Sequence, residues 1–237
     1  MKVLITGGAG YIGTELVNEL VQRKDVEEII IYDNLSRSNY NLFLGDVLNQ
    51  ANTQVKFVHG ELLDSRNLKT NLDGVAVVYH LAAKVTTPFA NTDPHFYEQV
   101  NHWGTAELIY ALEDSEVKQV IFTSSTGVYG SANEAVDVTT TPNPKTFYGI
   151  SKARGEEHVS RLADKIDTYV LRCGNVYGYS KSMRFDAVIN KFVFEANFNK
   201  QIAIHGDGKQ RRSFIHIDHV SKGLSNILNR SVEPGLY

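Results

Sequence analysis

Short apolar runs of strand length recur along the chain and alternate with stretches of helical periodicity. The apolar runs occupy residues 3–5, 29–32, 55–58, 75–80, 120–123 and 169–171. Amphipathic patterns of helical length lie between most of them, at residues 13–23, 95–112 and 148–163. Short, nearly continuous apolar strands that alternate with helices are typical of a parallel sheet covered on both faces. The pattern therefore predicts a doubly wound, mostly parallel α/β architecture.

The alternation changes after Cys173. Residues 174–212 read as an excursion from the sheet, and residues 213–217 (SFIHI) predict a return to a strand. We therefore assign residues 1–173 and 213–231 to the main domain, and residues 174–212 together with 232–237 to part of a smaller second domain. A longer carboxyl-terminal portion is expected for this architecture, so either the protein is short or the smaller domain is incomplete.

Composition and charge limit the kinds of partner. The 237 residues are 42% hydrophobic and 22% charged, which is ordinary for a globular protein. The net charge is −3 and no run of basic residues occurs, so a nucleic-acid partner gains no electrostatic support. No stretch approaches the ~18 consecutive apolar residues that a membrane span requires. The chain begins directly with the strand-like segment MKVLIT, and we expect a cytoplasmic protein without a membrane partner.

Metal and disulfide chemistry are also disfavoured. Cys173 is the single cysteine, which excludes an internal disulfide and a cysteine-based metal cluster. His216 and His219 flank Asp218, but this H-x-D-H cluster reads as the end of a strand that runs into a helix. We therefore predict no metal site.

A glycine-rich turn follows the first predicted strand. In GGAGYIG, Gly7, Gly10 and Gly13 are spaced so that the turn is tight, the backbone approaches a pyrophosphate, and the helix packs closely on the strand. Asp33 ends the second strand, where a carboxylate accepts from both adenosine ribose hydroxyls and repels a 2′-phosphate. Arg37 lies nearby and argues for NADP, but the carboxylate at the strand tip favours NAD.

A tyrosine and a lysine lie four residues apart in FYGISKARGEE (residues 147–157). On a helix, Tyr148 and Lys152 project from the same face. An ammonium near a phenol favours the phenolate, so we expect Lys152 to lower the pKa of Tyr148 from its usual value of about 10. Tyr148 would then accept a proton near neutral pH. An isolated Y-x-x-x-K more often reflects ring packing beside a solvated lysine, and the neighbouring motifs decide between the two readings.

Eight motifs in order resemble the extended short-chain dehydrogenase/reductase family, and within it the NAD-dependent nucleotide-sugar epimerases and dehydratases. The resemblance covers essentially the whole chain. Its motifs are GGAGYIG (7–13), DNLS (33–36), HLAA (80–83), VNHWGT (100–105), FTSSTGVYG (122–130), YGISK (148–152), RCGNVYG (172–178) and RSFIHIDHV (212–220). It implies a Rossmann fold that binds NAD in the main domain and a substrate-binding second domain.

The resemblance also implies roles for single residues. Ser125 corresponds to the active-site hydroxyl, Tyr148 to the acid/base, and Lys152 to its partner, which also holds the nicotinamide ribose. Asn101 corresponds to the helix asparagine that supports this lysine. The implied cofactor-binding residues are Gly7, Gly10, Tyr11, Ile12, Gly13, Asp33, Asn34, Glu61, Leu62, Leu81, Ala82, Ala83, Asn101, Tyr148 and Lys152. The implied substrate-binding residues are Ser125, Asn175 and Arg212.

Two positions depart from the family pattern. Glu61 stands where the family usually has an aspartate that contacts the adenine. In UDP-galactose 4-epimerases a lysine follows the fourth-strand motif one position later than Lys84, so that role is not transferred. Trp103, the single tryptophan, is assigned to helix packing.

The implied reaction is NAD-dependent epimerisation of a nucleotide-diphosphate sugar at C4, through a 4-keto intermediate. The related 4,6-dehydratases carry an Asp-Glu pair where this chain has Thr126 and Gly127, which disfavours dehydration. A keto-sugar reductase remains open, because it needs the same three catalytic side chains. A non-catalytic redox sensor or scaffold remains open as well. Family members often form homodimers, and we expect the same here through residues 95–112 and 148–163.

Overall fold

Nine short strands carry the fold, in a computed structural model that describes residues 1–44, 48, 52–85, 93–132, 134–204, 206–229 and 232–237. In chain order they are β1 Lys2–Thr6, β2 Glu28–Asp33, β3 Gln54–His59, β4 Val77–His80, β5 Gln119–Ser125, β6 Asp167–Cys173, β7 Asn175–Tyr177, β8 Phe214–His216 and β9 Gly235–Leu236. Seven form one sheet in the order β3-β2-β1-β4-β5-β6-β9, and every pairing in it is parallel. The strands β7 and β8 pair separately.

Helices connect the strands and cover the sheet. They are α1 Tyr11–Leu20, α2 Ser65–Asn71, α3 Pro94–Tyr97, α4 Gly104–Glu113, α5 Phe147–Ser160, α6 Val188–Phe194 and α7 Ile217–Ile227. A π-helical segment, Glu98–Trp103, joins α3 to α4 without a break, and a second one, Glu195–Asn199, follows α6. Single 3₁₀ turns lie at Asn41–Phe43 and Thr126–Tyr129.

Two apolar layers enclose the sheet. Alternation along β1 sends Val3 and Ile5 to one layer and Leu4 to the other, because successive strand side chains point to opposite faces. The first layer includes Leu16 of α1 and Leu224 of α7. The second is completed from α4 and α5 by Leu108, Leu112 and Val159. Burial on both faces explains why the strand sequences are almost continuously apolar, and it confirms the predicted doubly wound, mostly parallel sheet.

Three local expectations need revision. Residues 232–237 were expected in the second domain, but Gly235–Leu236 is the seventh strand of the main sheet, paired with Tyr169 and Val170 of β6. A two-residue strand that contains glycine carries no readable alternation, so this part of the domain assignment is wrong. The helix Ser65–Asn71 was not predicted. The single helix expected over residues 95–112 contains the π-helical segment. The remaining domain assignment stays a prediction.

The described part of the chain gives no sign of a membrane or metal role. None of its helices combines the length and the apolar character that crossing a bilayer requires. Within the same residues, no group of three or more metal-binding side chains comes together. His216 ends β8 and caps α7 by accepting from the backbone N–H of Asp218 at 3.3 Å, as expected for a strand that runs into a helix.

Candidate active site

The turn after β1 requires glycine at two positions. Gly7 has φ +72°, and a Cβ on it would lie 2.6 Å from the backbone nitrogen of Ala82. A Cβ on Gly13 would lie 2.6 Å from the Cα of Gly8. The strand and helix therefore approach more closely than a side chain permits. Gly10 precedes the first residue of α1 and has no side-chain cap, which leaves the helix N-terminus open to an anion. This cradle fits the pyrophosphate of NAD.

The tip of β2 lies beside this turn. The Asp33 carboxylate accepts from the backbone N–H of Ala9 at 3.1 Å and from that of Leu35 at 2.8 Å. Burial raises the pKa of this carboxyl, and the two backbone hydrogen bonds act against that rise. Asp33 is therefore fixed next to the glycine turn, at the position where the sequence predicts the adenosine ribose.

Other predicted cofactor residues surround the same edge of the sheet. Asn34 donates to both carboxylate oxygens of Glu61, at 3.0 and 3.1 Å, so this glutamate is held at the β2 tip. Leu62 is buried against Gly104. Leu81 and Ala82 donate their backbone N–H groups to Thr6, at 3.0 and 3.4 Å. Three further predicted cofactor residues complete this set by position: Tyr11 and Ile12 at the start of α1, and Ala83 after β4.

Ser125, Tyr148 and Lys152 come from two elements that meet. Ser125 is the last residue of β5, and its hydroxyl accepts from the backbone N–H of Gly127 at 3.0 Å. Tyr148 lies in the first turn of α5, whose cap is the Thr146 hydroxyl. The Ser125 hydroxyl and the Tyr148 ring both border Gly127, and the Ser125 hydroxyl acts to lower the pKa of Tyr148. Lys152 lies one turn further along the helix and is 2% exposed.

Gly127 lies beside both Ser125 and Tyr148. A Cβ built on it would lie 3.2 Å from the Ser125 Oγ and 3.6 Å from a ring carbon of Tyr148. A side chain at position 127 would therefore touch both groups. Glycine leaves that position without an acid or a base.

The expected lowering of the Tyr148 pKa by Lys152 is wrong. The pKa of Tyr148 is raised, because burial disfavours the phenolate more than its surroundings favour it. The hydrogen bond from Ser125 and the charge of Arg184 act in the lowering direction. Lys152 is itself fully enclosed, and burial lowers its pKa to about 8. Its Nζ lies 4.3 Å from the centroid of the Phe122 ring, against the sheet.

Asn101 lies within the π-helical segment and is 1% exposed. Its Oδ1 accepts from the backbone N–H of Lys84 at 2.7 Å, and its Nδ2 donates to the Lys84 carbonyl at 2.9 Å. The same Nδ2 donates to the Ser151 hydroxyl at 3.0 Å. Asn101 thus ties the loop after β4 to the residue that precedes Lys152. π-helical insertions often mark functional positions in helices, and this one turns the amide toward the site.

Asn175 is the first residue of β7, and Arg212 lies two residues before β8. The Asn175 Nδ2 donates to the carbonyl of Ser213 at 3.2 Å, directly beside Arg212. Arg212 is exposed, and its guanidinium donates to Gln210 at 3.2 Å. Cys173 pairs with Ser125 at the end of the main sheet, and Asn175 follows Cys173 by two residues. Asn175 and the neighbouring Arg212 therefore lie on the same side of the fold as Ser125.

A buried histidine that sequence reasoning missed joins the ends of β1 and β4. His80 is 1% exposed and contacts the Thr6 hydroxyl at 2.7 Å and the Thr105 hydroxyl at 2.9 Å. Thr105 donates to the Asn101 carbonyl at 2.7 Å, so it accepts from the His80 Nε2–H. Burial, with the Lys152 charge, lowers the pKa of His80 to about 3, and the ring is neutral. The HLAA motif was the available signal.

A second missed group braces the catalytic helix. Arg172 donates to Glu156 on α5 at 2.6 Å and to the Tyr129 hydroxyl at 3.0 Å, and its side chain is 7% exposed. Ser124 donates to the same glutamate. The guanidinium therefore connects β6 to α5 and to the turn that follows Ser125. An arginine directly after the apolar run of residues 169–171 was the signal in the sequence.

Comparisons with known proteins identify relatives of this chain by sequence and by fold. The family model described as the NAD dependent epimerase/dehydratase family matches residues 3–237. An uncharacterized UDP-glucose epimerase of Bacillus subtilis (strain 168) is 31% identical over 237 residues, covering 97% of this chain and 73% of that protein. Among solved structures, a dTDP-glucose 4,6-dehydratase of Streptomyces venezuelae with NAD bound has a TM-score of 0.89 and 27% identity, covering 100% of this chain and 74% of that one.

A UDP-glucuronic acid 4-epimerase of Bacillus cereus, in complex with UDP-glucuronic acid and NAD, has a TM-score of 0.86 and 27% identity. The match covers 100% of this chain and 76% of that one. A structure named for a 4,6-dehydratase and one named for a 4-epimerase, both with NAD bound, thus share the fold of this chain. The chain belongs to the NAD-dependent epimerase/dehydratase family, with the extended short-chain dehydrogenase/reductase fold and NAD as its cofactor.

Proposed function

We propose that this protein epimerises a nucleotide-diphosphate sugar at C4 with NAD. The supporting observation is the glycine at position 127. In the related dehydratases the two residues after the active-site hydroxyl supply the acid and base that remove water. Here a side chain at position 127 would touch both Ser125 and Tyr148, and the chain has none there. The remaining groups are those that interconversion of a hydroxyl and a ketone requires.

Tyr148 is the proposed acid and base. It takes the proton of the sugar's 4-hydroxyl when C4 is oxidised, and it returns a proton when C4 is reduced. Ser125, which lies beside Tyr148, donates to the sugar oxygen and stabilises its charge in both directions. Bound NAD supplies the redox step by accepting a hydride and returning it. Between the two transfers the keto sugar turns its other face to the cofactor.

NAD would be held by the residues that line the carboxyl edge of the sheet. The glycine turn would receive the pyrophosphate, and Asp33 the adenosine ribose. Glu61 and Asn34 lie where the adenine is expected. Lys152 would contact the nicotinamide ribose. Leu81, Ala82 and Ala83 would form the wall between the two halves of the cofactor.

The sugar nucleotide would lie against the separate strand pair. Arg212 is exposed there and has the planar, always-charged group that pairs with phosphate oxygens. Asn175 lies next to it, nearer to Ser125 along the chain. We assign Arg212 to the diphosphate and Asn175 to the sugar. Residues 174–212 then contribute to a substrate-binding domain.

A panel of UDP-, GDP- and dTDP-sugars tests the proposal, with products resolved by NMR. We expect one member to give its C4 epimer with only a catalytic amount of NAD. A 4-keto-6-deoxy product would instead show a dehydratase. Consumption of stoichiometric NADH or NADPH with a keto sugar would show a reductase. Tight NAD binding without turnover of any panel member would support a non-catalytic role.

We also propose that the protein is a homodimer through the outer face of α4 and α5. Trp103 is 53% exposed and Tyr110 is 43% exposed on this face, although both are large and largely apolar. Paired helices from two copies would cover them. This arrangement would leave the carboxyl edge of the sheet open to ligands.

A further inference from the structure

The segment formed by residues 178–190 is fastened across the start of α1. Tyr11 donates its hydroxyl to the Gly178 carbonyl at 2.7 Å and accepts from Asn190 at 3.2 Å. The Thr14 hydroxyl donates to the Ser182 hydroxyl at 2.7 Å. Both threonine and serine are fully buried. The 178–190 segment is therefore anchored to the helix that follows the glycine turn, beside the expected position of the cofactor.

Asp186 lies within this segment and is shared by two arginines. Its Oδ1 lies 3.3 Å from the Nη2 of Arg37 and 3.2 Å from the Nε of Arg184. Arg184 also reaches the second carboxylate oxygen at 3.3 Å and donates to the Val85 carbonyl at 3.0 Å. Asn190 donates to the Arg184 carbonyl at 3.0 Å. Arg184 thus contacts both oxygens of the Asp186 carboxylate and fixes its orientation.

Arg37 is the one basic residue in the stretch from 34 to 55. It follows Asp33 by four residues, in the loop after β2 whose start is held by the Asp33–Leu35 hydrogen bond of 2.8 Å. In that loop an arginine could pair with the 2′-phosphate of NADP. The ion pair with Asp186 instead occupies a nitrogen of this guanidinium.

We propose that Asp186 is a determinant of cofactor specificity, which keeps Arg37 from a 2′-phosphate and adds a second negative charge near Asp33. A 2′-phosphate carries close to two negative charges at neutral pH, so it is repelled by Asp33 and Asp186 and finds no free cation in residues 34–55. NAD lacks this phosphate and is not affected. The charges around Asp186, chiefly those of Arg184 and Arg37, keep its pKa below the ordinary value, so it is ionised at neutral pH. The inference rests on the proposed position of the ribose at Asp33.

Binding of NAD and NADP, measured by calorimetry without any sugar, tests this inference separately from the proposed reaction. The variants are Asp186→Asn, Asp33→Ser and both together. We expect the double variant to bind NADP about tenfold or more tightly than Asp33→Ser alone, because Arg37 then pairs with the phosphate. NAD affinity should change less than threefold between these two proteins. Asp207→Asn in the Asp33→Ser background is the control: it removes an exposed carboxylate that accepts from the backbone N–H of Lys209 at 3.0 Å, and it should leave NADP affinity unchanged.

Adding Arg37→Gln to the double variant should remove most of the gain and leave only the part that comes from losing the Asp186 charge itself. A gain that persists in full without Arg37, or no gain at all, would overturn the inference. If neither Asp33→Ser nor the double variant changes the discrimination against NADP, the proposed ribose position is wrong and the inference fails with it.

A second test needs no substitution of Asp186. In the Asp33→Ser background, Arg37→Gln should leave NADP affinity within twofold, since Asp186 already occupies the guanidinium. A loss of fivefold or more would show that Arg37 is free to bind the phosphate, and would contradict the inference.

Discussion

At the level of single residues, the site combines a buried phenol with partners that favour its ionisation. Burial alone raises the pKa of Tyr148, which works against its use as a base. The Ser125 hydrogen bond and the Arg184 charge offset part of that effect. A side chain at position 127 would contact the Tyr148 ring, but this chain has glycine there and therefore no carboxylic acid. Proton exchange with the sugar oxygen is thus the chemistry that Tyr148 can serve.

Removal of the Tyr148 hydroxyl is the simplest test of its role. Tyr148→Phe keeps the ring that packs at 6.5 Å from Tyr97, so we expect the fold and NAD affinity to survive. Turnover of the verified sugar should fall roughly 10²–10⁴-fold, the usual contribution of a general acid or base. Steady-state kinetics and calorimetry measure the two effects. Tyr110→Phe on the helix surface is the matched control, and near-normal turnover in Tyr148→Phe would remove the proposed mechanism.

The pH dependence of kcat/KM shows whether Ser125 or Lys152 sets the ionisation of Tyr148. Because the phenolate is the base, kcat/KM should rise with pH through the Tyr148 pKa. Ser125→Ala removes a hydrogen bond that favours the phenolate, so the rising limb should move to higher pH. Lys152→Met should lower kcat/KM without moving the limb. A limb that moves in Lys152→Met and not in Ser125→Ala would restore the interpretation drawn from the sequence.

At the level of secondary-structure elements, α5 is held in place from behind the site. Arg172 on β6 and Glu156 on α5 form the buried ion pair, and Tyr129 and Ser124 complete its hydrogen bonds. Glu156 is one helical turn beyond Lys152 and two turns beyond Tyr148. The ion pair therefore fixes the helix that carries both catalytic candidates relative to the strand that ends in Ser125.

Substitution of Arg172 should destabilise the protein strongly. Arg172→Leu leaves the Glu156 carboxylate buried without its cation, and the free energy of unfolding should fall by about 3–5 kcal/mol. Glu156→Leu together with Arg172→Leu should recover part of that loss, since no unpaired charge remains. Arg154→Leu, on the same helix, breaks the 2.7 Å pair with Glu98, but its side chain is 48% exposed. In this control, the free energy of unfolding measured in urea should fall by only about 0–1 kcal/mol. Equal losses from the substitutions of Arg172 and Arg154 would refute the bracing role.

The parts of the fold that follow from local periodicity could be predicted, and those that depend on distant contacts could not. The strands β1 to β6, together with β8, α1 and α5, follow from the pattern of apolar positions, and the glycine turn follows from its local sterics. The Asp186–Arg37 pair joins residues 149 positions apart, and no local pattern indicates it. The pKa of Tyr148 depends on burial, which spacing alone does not give. The π-helical segment at Asn101 adds a residue to a helix whose amphipathic pattern looks continuous.

At the level of the whole molecule, helices cover both faces of the main sheet. The carboxyl edge of the sheet and the outer faces of the helices are therefore the surfaces available to partners. The carboxyl edge holds the glycine turn, Asp33 and Ser125. The outer face of α4 and α5 holds Trp103 and Tyr110. In the proposed arrangement, cofactor and substrate bind at the carboxyl edge of the sheet, and a second copy of the chain binds at the outer face of α4 and α5.

A charge on the outer helical face should separate the proposed dimer. Trp103→Glu places a carboxylate in the contact between copies, so light scattering after size exclusion should give the mass of one chain instead of two. NAD affinity should persist, because the substitution lies away from the glycine turn. Tyr179→Glu alters another exposed aromatic residue, 77% exposed, and should remain dimeric. A wild-type protein with the mass of one chain at micromolar concentration would contradict the proposed dimer.

Hydride transfer out of C4 and back to C4 is the central claim, and an isotope label follows it directly. The measurement uses the verified nucleotide sugar with deuterium at C4, in ordinary water, with catalytic NAD and NMR detection. We predict a product with inverted configuration at C4 that retains the deuterium at C4, because Tyr148 moves only the oxygen-bound proton and the hydride returns to its own carbon. Loss of the label to solvent, or its appearance at C6 with loss of the 6-hydroxyl, would contradict C4 epimerisation.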